Sequence, residues 1–185
     1  MGDRLPALTE PVQRIHSLAA GYEGLQLPVA VLLDNVRSMY NVGAFFRAAD
    51  GVGLEKLCLC GITAHPPKKA VTKTALGAEE VVTWEHDWDA TRVALGFRNK
   101  GYEVAAIETS PTAIDLFQWQ PKFPVCVAFG HEVEGLRPEL LEIADTHVRI
   151  PMLGKKTVTQ CRDCCWSCSL RTAAQMAAQI RISSQ

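Results

Sequence analysis

Five apolar residues, Val29-Ala30-Val31-Leu32-Leu33, run straight into a polar stretch from Asp34 to Asn41, and a second apolar segment then closes at Gly51 and Gly53. The first run is short and rich in β-branched residues, as a strand buried on both faces must be. Asn41 stands where a helix N-cap would, and glycines just past the last apolar residue stop the helix. The order strand, polar loop, helix points to an open α/β sheet, whose ligands bind at the carboxyl ends of strands. Asn35, Arg37, Asn41 and Arg47 lie in or beside one such loop. Helix capping and surface charge would account for them equally well, and the residues alone leave both readings open.

The rest of the chain repeats the pattern. Lys56 to Cys60 reads as a second strand. Gly61 to Ala78 reads as a loop carrying Pro66-Pro67 and the cations Lys68, Lys69 and Lys73. Val81 to Trp84 reads as a third strand, followed by a helix capped by Asp87 and running to about Asn99. Tyr102–Ile107, Pro124–Phe129 and His147–Ile150 are three more strands, and Pro138 opens a helix to Ala144. Strands alternating with helices, without repeats, predict an α/β fold: a mostly parallel sheet flanked by helices on both faces. Residues 1–28 read as a short helical lead-in, and residues 29–185 as one domain, within the usual size range.

Composition narrows the class. The chain is 48% hydrophobic and 21% charged, as ordinary globular proteins are. No apolar run approaches the roughly 20 residues of a membrane span. Met1 to Pro6 lacks a signal-peptide apolar core, so a cytoplasmic protein with no membrane partner is expected. A formal net charge of −1 gives no global footprint for nucleic acid, so any RNA contact must come from a local patch. Arg37, Lys68, Lys69 and Lys73 could form one, although a solvated charged loop reads the same way. A dinucleotide site is excluded, because no G-x-G-x-x-G follows the first strand.

Two further strand ends lead into glycine-bearing loops: Phe129-Gly130-His131-Glu132-Val133-Glu134-Gly135-Leu136 and Ile150-Pro151-Met152-Leu153-Gly154. Each alone is a common βα turn. Together with Asn41-Val42-Gly43-Ala44 and Arg47-Ala48-Ala49-Asp50, in this order and spacing, they resemble the three motifs of the SpoU/TrmH family. These are S-adenosylmethionine-dependent RNA ribose 2′-O-methyltransferases of the SPOUT class. The resemblance covers about Val29 to Lys156. It implies an α/β knot, with the C-terminal segment threaded through a loop as a trefoil, and a homodimer. Composition suggests neither, since knotted chains are rare.

The resemblance also implies roles. Arg47 becomes the central catalytic residue, supported by Asn41 and Glu132. Ile107, Gly130, Ile150, Met152, Leu153, Gly154 and Thr159 become the binding positions for S-adenosylmethionine. The RNA partner is a tRNA or an rRNA, and no metal takes part. Taken as residues, Asn41 also has a reading as a helix cap, and Glu132 as an exposed loop carboxylate, each the lesser alternative. Guanidinium, with a pKa above about 12, is a poor base. Arg47 therefore reads best as a clamp on a phosphate and an electrostatic activator of the ribose hydroxyl.

After Lys156 the chain leaves the family pattern. Where the family has Ser-Leu-Asn-Val, then small residues, a glycine and a helix with Tyr-Glu, this chain reads Val158-Thr159-Gln160-Cys161-Arg162-Asp163-Cys164-Cys165-Trp166. The cysteines are crowded too tightly for the two separated arms of a zinc site. A one-nucleotide forward shift of the reading frame offers another account. Val158 then permits Ser, Thr159 permits Leu, Gln160 permits only Asn or Ser, and Trp166 forces Gly. Cys161, Cys164, Cys165 and Cys168 permit only Val or Ala, Leu170 permits Tyr, and Arg171 permits Glu. The expected origin of this tail is a frameshift near residues 155–158. A catalytically impaired RNA-binding protein of the same fold, and a metal-binding protein built on the cysteines, are the alternative readings.

Overall fold

The computed structural model describes residues 26–110 and 112–151. Its elements run β1 (Leu27–Asp34), α1 (Met39–Val52), β2 (Leu54–Cys60), α2 (Lys69–Ala75), α3 (Ala78–Val81), β3 (Trp84–Asp87), α4 (Ala90–Asn99), β4 (Glu103–Ile107), β5 (Ile114–Asp115), β6 (Val125–Phe129), α5 (Pro138–Ile143) and β7 (Thr146–Arg149). One seven-stranded sheet has the order β3-β2-β1-β6-β4-β7-β5. Every ladder is parallel, one step beyond the mostly parallel sheet expected.

Alternation along β1 shows why the sheet must be covered twice. Val29, Val31 and Leu33 enter one apolar cluster with Val42, Phe45, Phe46 and Ala49 of α1. Ala30 and Leu32 enter the other, with Ala90, Ala94 and Phe97 of α4 and Leu140 of α5. Successive side chains of a strand point to opposite faces, so an unbroken apolar run needs a helical layer on each side. β1 is the third of the seven strands, beside the central β6, and the chain builds outward from it through β2 and β3 before crossing to the other half. The gap between the carboxyl ends of β1 and β6 is thus the topological switch point, where such sheets hold ligands.

The local differences from the sequence reading have physical causes. α1 starts two residues before Asn41: Ser38 is the N-cap, its Oγ accepting from the Asn41 amide at 3.3 Å. Its C-terminal end is as expected, with Gly53 left-handed at φ 66°. The 61–78 stretch is not all loop, because Lys69 to Ala75 is helical and packs on α1. Contact there is close enough that a Cβ on Gly43 would lie 2.1 Å from Thr74 Oγ1. Ala78 to Val81 forms a helical turn, and the third strand begins three residues late, at Trp84. Val82, β-branched but only 8% exposed, plugs the core between them. Asp89, not Asp87, caps α4, while Asp87 closes β3. β5 is two residues long, too short to be seen in the sequence. The lead-in of residues 1–25, the threading segment and the tail from Met152 lie outside the described residues.

Candidate active site

The polar loop after β1 is held at nearly every residue by a different neighbour. Asp34, buried at 1% exposure, accepts from Arg137 Nε at 2.9 Å and from Asn35 Nδ2 at 3.1 Å. That carboxylate holds the Arg137 guanidinium pKa above its ordinary value. Asn35 takes a left-handed φ of 58° and its Oδ1 accepts from the Ile62 amide at 3.1 Å. Gly61 lies beneath that side chain, where any Cβ would sit 2.1 Å from Asn35 Oδ1. The Val36 amide donates to Thr63 Oγ1 at 2.9 Å, and Thr63 donates in turn to the Leu33 carbonyl at 3.1 Å. A loop pinned in this way presents its groups with little left to order on binding.

Glu132 closes the switch point. Its carboxylate accepts from the Ser38 amide at 2.9 Å, the Arg37 amide at 3.2 Å and Asn41 Nδ2 at 3.3 Å. It therefore sits at the N-terminus of α1, where free amides and the helix dipole favour an anion. Glu132 is brought there by the 130–136 loop, which folds back through the His131–Gly135 bridge. His131 Nδ1 accepts from the amides of Val133 and Glu134, both at 3.1 Å. A Cβ on Gly130 would meet the Gly135 carbonyl carbon at 2.2 Å, so only glycine fits. Asn41 and Glu132, expected as separate supports for Arg47, are thus joined directly to each other.

Arg47 is placed differently. Six residues beyond Asn41, it lies about 9 Å further along α1 and about 120° around it. Its guanidinium donates to the Thr74 carbonyl at the end of α2. Thr74 Oγ1 donates to a backbone carbonyl, with Met39 O at 3.1 Å and Ala70 O at 2.9 Å in reach, which ties α2 to the start of α1. Lys69 and Lys73, one turn apart, lie exposed on this second helix, with exposed Lys68 as its N-cap. Arg37 is exposed on the loop after β1. The structure therefore gathers Arg47 and the three lysines along α1 and α2, and leaves Arg37 at the loop beside Glu132.

The proposed methyl-donor positions lie on three adjacent strand ends. Ile107 is in register with Phe129, the residue before Gly130, and with Val148, two residues before Ile150. Glu108, absent from the sequence reading, links them. Its Oε2 accepts from the Leu136 amide at 3.2 Å, its Oε1 from the Thr109 amide at 2.8 Å, and its own amide donates to the Val148 carbonyl at 3.0 Å. Backbone edges from three loops, with a carboxylate between them, are a donor and acceptor set that suits an adenosine carrying hydroxyls and an amine. Met152, Leu153, Gly154 and Thr159 lie outside the described residues. Among the described residues no group of three or more His, Cys, Asp or Glu could hold a metal ion.

A sequence profile described as the SpoU rRNA Methylase family matches residues 28–158. The chain belongs to that family. Among curated relatives, the tRNA (guanosine(18)-2′-O)-methyltransferase of Aquifex aeolicus is 29% identical over 143 residues, covering 77% of this chain and 67% of that protein. The 23S rRNA (guanosine-2′-O-)-methyltransferase RlmB of Shewanella oneidensis is 34% identical over 134 residues, covering 69% of this chain and 52% of its own length. The chain thus spans only about half to two thirds of the curated SpoU relatives it matches. Among solved structures, the A. aeolicus TrmH/SpoU tRNA modifying enzyme superposes with a TM-score of 0.74 at 24% identity, over 94% of this chain and 87% of the other. An AdoMet-bound rRNA methyltransferase from Sinorhizobium meliloti gives 0.67 at 23% identity, over 80% and 56%. At these identities the superpositions speak for the SpoU fold alone.

Proposed function

We propose that this chain transfers the methyl group of S-adenosylmethionine to a ribose 2′-hydroxyl of tRNA or rRNA. The observation that carries the reading is the junction at the switch point, where Glu132 joins the Asn41 side chain and the N-terminus of α1 across two motif loops. The sulfonium methyl arrives already activated, so the protein has to align a poor hydroxyl nucleophile and ease removal of its proton. Asn41 and Glu132 fix the loop against which the ribose would sit. Arg47, on the face of α1 next to α2, would clamp the adjoining phosphate, and Lys68, Lys69 and Lys73 would lead the RNA toward it. Arg37 would contact the strand on the opposite side of the loop. The methyl donor would be held by Ile107, Gly130 and Ile150, with Met152, Leu153, Gly154 and Thr159 completing the pocket.

The same reading takes the protein to be a cytoplasmic homodimer whose C-terminal segment is knotted, with residues 1–28 as lead-in. No helix among the described residues is long and apolar enough to cross a membrane. It also takes the segment after Lys156 as read out of frame, which is supported by the family match ending at residue 158. Should the tail be the molecule's own, the loss of the third motif favours a second reading, an RNA-binding SpoU-fold protein with impaired catalysis. Calorimetric titration of the frame-corrected protein tests the first reading: it should bind S-adenosylmethionine, and no binding at millimolar ligand overturns it.

A further inference from the structure

Beyond the loop of Asn35, an aromatic series that methyl transfer as described does not use runs from the core along β3 to its carboxyl end. Phe46 in the core meets Trp84 edge-on at 6.3 Å, and Trp84 stacks on His65 at 6.1 Å and 28°. His65 contacts His86 at 4.4 Å, and His86 meets Trp88 edge-on at 4.9 Å and 88°. The series therefore leads from the core to the surface and ends on an indole that is 74% exposed. Ile62, next to the Gly61 that bonds the Asp87 carbonyl, is 59% exposed.

Trp88 is exposed but not loosely held. The Asp87 carbonyl before it accepts from the Gly61 amide at 2.9 Å, and Asp89 after it caps α4. His86 Nε2 donates to the Gly61 carbonyl at 3.1 Å, which orients the ring behind the indole. At 88° the imidazole covers at most one face of an indole that is 74% exposed, which leaves a face open for stacking. The acidic side chains nearby are already engaged: Glu85 with Lys56, Asp87 with Arg92, and Asp89 with the Arg92 amide. The nearest uncommitted charges along the loop are the exposed Lys68 and Lys69.

Register fixes the distance to the proposed catalytic loop. Asp34 pairs with Cys60, and Cys60 pairs with Asp87. Two strand spacings therefore separate Trp88 from that loop, about 10 Å, a span that neighbouring nucleotides of one strand bridge. The connection is continuous, since Asn35 Oδ1 holds the Ile62 amide.

We infer that Trp88, backed by His86 and His65, is a stacking platform for an unpaired base of the RNA, next to the nucleotide whose ribose lies at the Asn35–Asn41 loop. The inference rests on the RNA reading above and names what that site recognises: a single-stranded or flipped-out base, not a duplex. Stacking on an aromatic face is the usual way proteins grip unpaired bases, without reading their sequence.

The test uses the full-length frame-corrected protein and a tRNA transcript containing 5-iodouridine, with a 23S rRNA fragment as second probe. Irradiation should crosslink the peptide containing Trp88. Trp88→Ala should weaken RNA binding about tenfold, and Trp88→Phe should restore most of it. The slope of log affinity against log salt should stay unchanged in Trp88→Ala, whereas Lys68→Ala/Lys69→Ala should flatten it, because only phosphate contacts release counterions. S-adenosylmethionine affinity should be untouched by Trp88→Ala. Wild-type RNA affinity in Trp88→Ala overturns the platform while leaving the methyltransferase reading standing. So does dissociation of a dimer by that variant, since Trp88 would then be an interface residue. If the wild-type chain binds neither RNA, both readings fall together.

Discussion

Truncating Glu132 to alanine should both loosen the fold and stop turnover, and the size of the first effect follows from the structure. Its carboxylate accepts three hydrogen bonds, from Ser38 N, Arg37 N and Asn41 Nδ2. Hydrogen bonds to a charged group are worth about 1.5–3 kcal/mol when buried. Here the loop is partly open, so water will take up the Arg37 amide once the carboxylate is gone. About 1 kcal/mol for each of the two better-shielded bonds, with about 0.5 kcal/mol from the anion at the N-terminus of α1, gives roughly 2–3 kcal/mol. For a chain of this length that lowers Tm by about 5–10 °C. Glu132→Gln keeps one acceptor oxygen but loses the charge, and should fall about half as far. Because Asn41 and Glu132 share a bond, Asn41→Ala in the Glu132→Ala background should cost less than it does alone. Thermal unfolding by circular dichroism, together with methyl transfer from radiolabelled S-adenosylmethionine, reads both effects. A Glu132→Ala protein melting within about 1 °C of wild type, or Asn41→Ala costs that simply add, would refute the claim that this carboxylate joins the two loops.

Other consequences can be checked as directly. In the frame-corrected protein, Arg47→Lys should lose most methyl transfer with S-adenosylmethionine affinity nearly intact, since lysine keeps the charge without the planar fork; near-normal turnover would make Arg47 a helix-surface cation. Gly130→Ala drives a methyl group into the backbone of Gly135 and Leu136, so stability should fall by about 3 kcal/mol and cofactor binding with it, as denaturant melts and titration would show. Burial pushes the Cys58 and Cys126 thiols up and the Cys60 thiol up to about 12, with Asp34 adding to the last. At pH 8 all three should stay protonated and unreactive to a thiol reagent until the protein unfolds. The other four of the seven cysteines lie at 161, 164, 165 and 168, so the frame-corrected native protein should give no thiol titre, whereas a native-source protein with more than three cysteines on unfolding would contradict the frameshift.

The parts of this protein that sequence made visible are those set by period and by local backbone demand. An unbroken apolar run at Val29–Leu33 required a two-sided parallel sheet, and Gly53 marked the end of α1. Asn41 was visible as a polar residue at a helix start, but its position invited the capping role that Ser38 holds, because both types cap well and lie three apart. Residues 69–75 and 78–81 are helical where the sequence predicts loop and strand, because short helices there are held by packing on α1, through contacts such as Gly43 on Thr74, and propensity carries no record of such contacts. Asp34, Thr63, Glu108 and Arg137 hold the site through partners up to 103 residues away, and no local pattern in the sequence announces them. Arg37 and Arg47 were legible as cations, but the separation of Arg47 from the Asn41–Glu132 pair needed the helix geometry.

The atom that receives the methyl group is the most direct test of the proposed reaction. Frame-corrected protein should be incubated with tRNA or 23S rRNA and S-adenosylmethionine labelled in its methyl group, and the RNA then hydrolysed in alkali. A methylated 2′-oxygen cannot attack its neighbouring phosphate, so the account predicts label in an alkali-resistant dinucleotide, lost in Arg47→Lys. Label recovered in single nucleotides, as base methylation would leave it, or no label in RNA from a protein that binds both substrates, would contradict it.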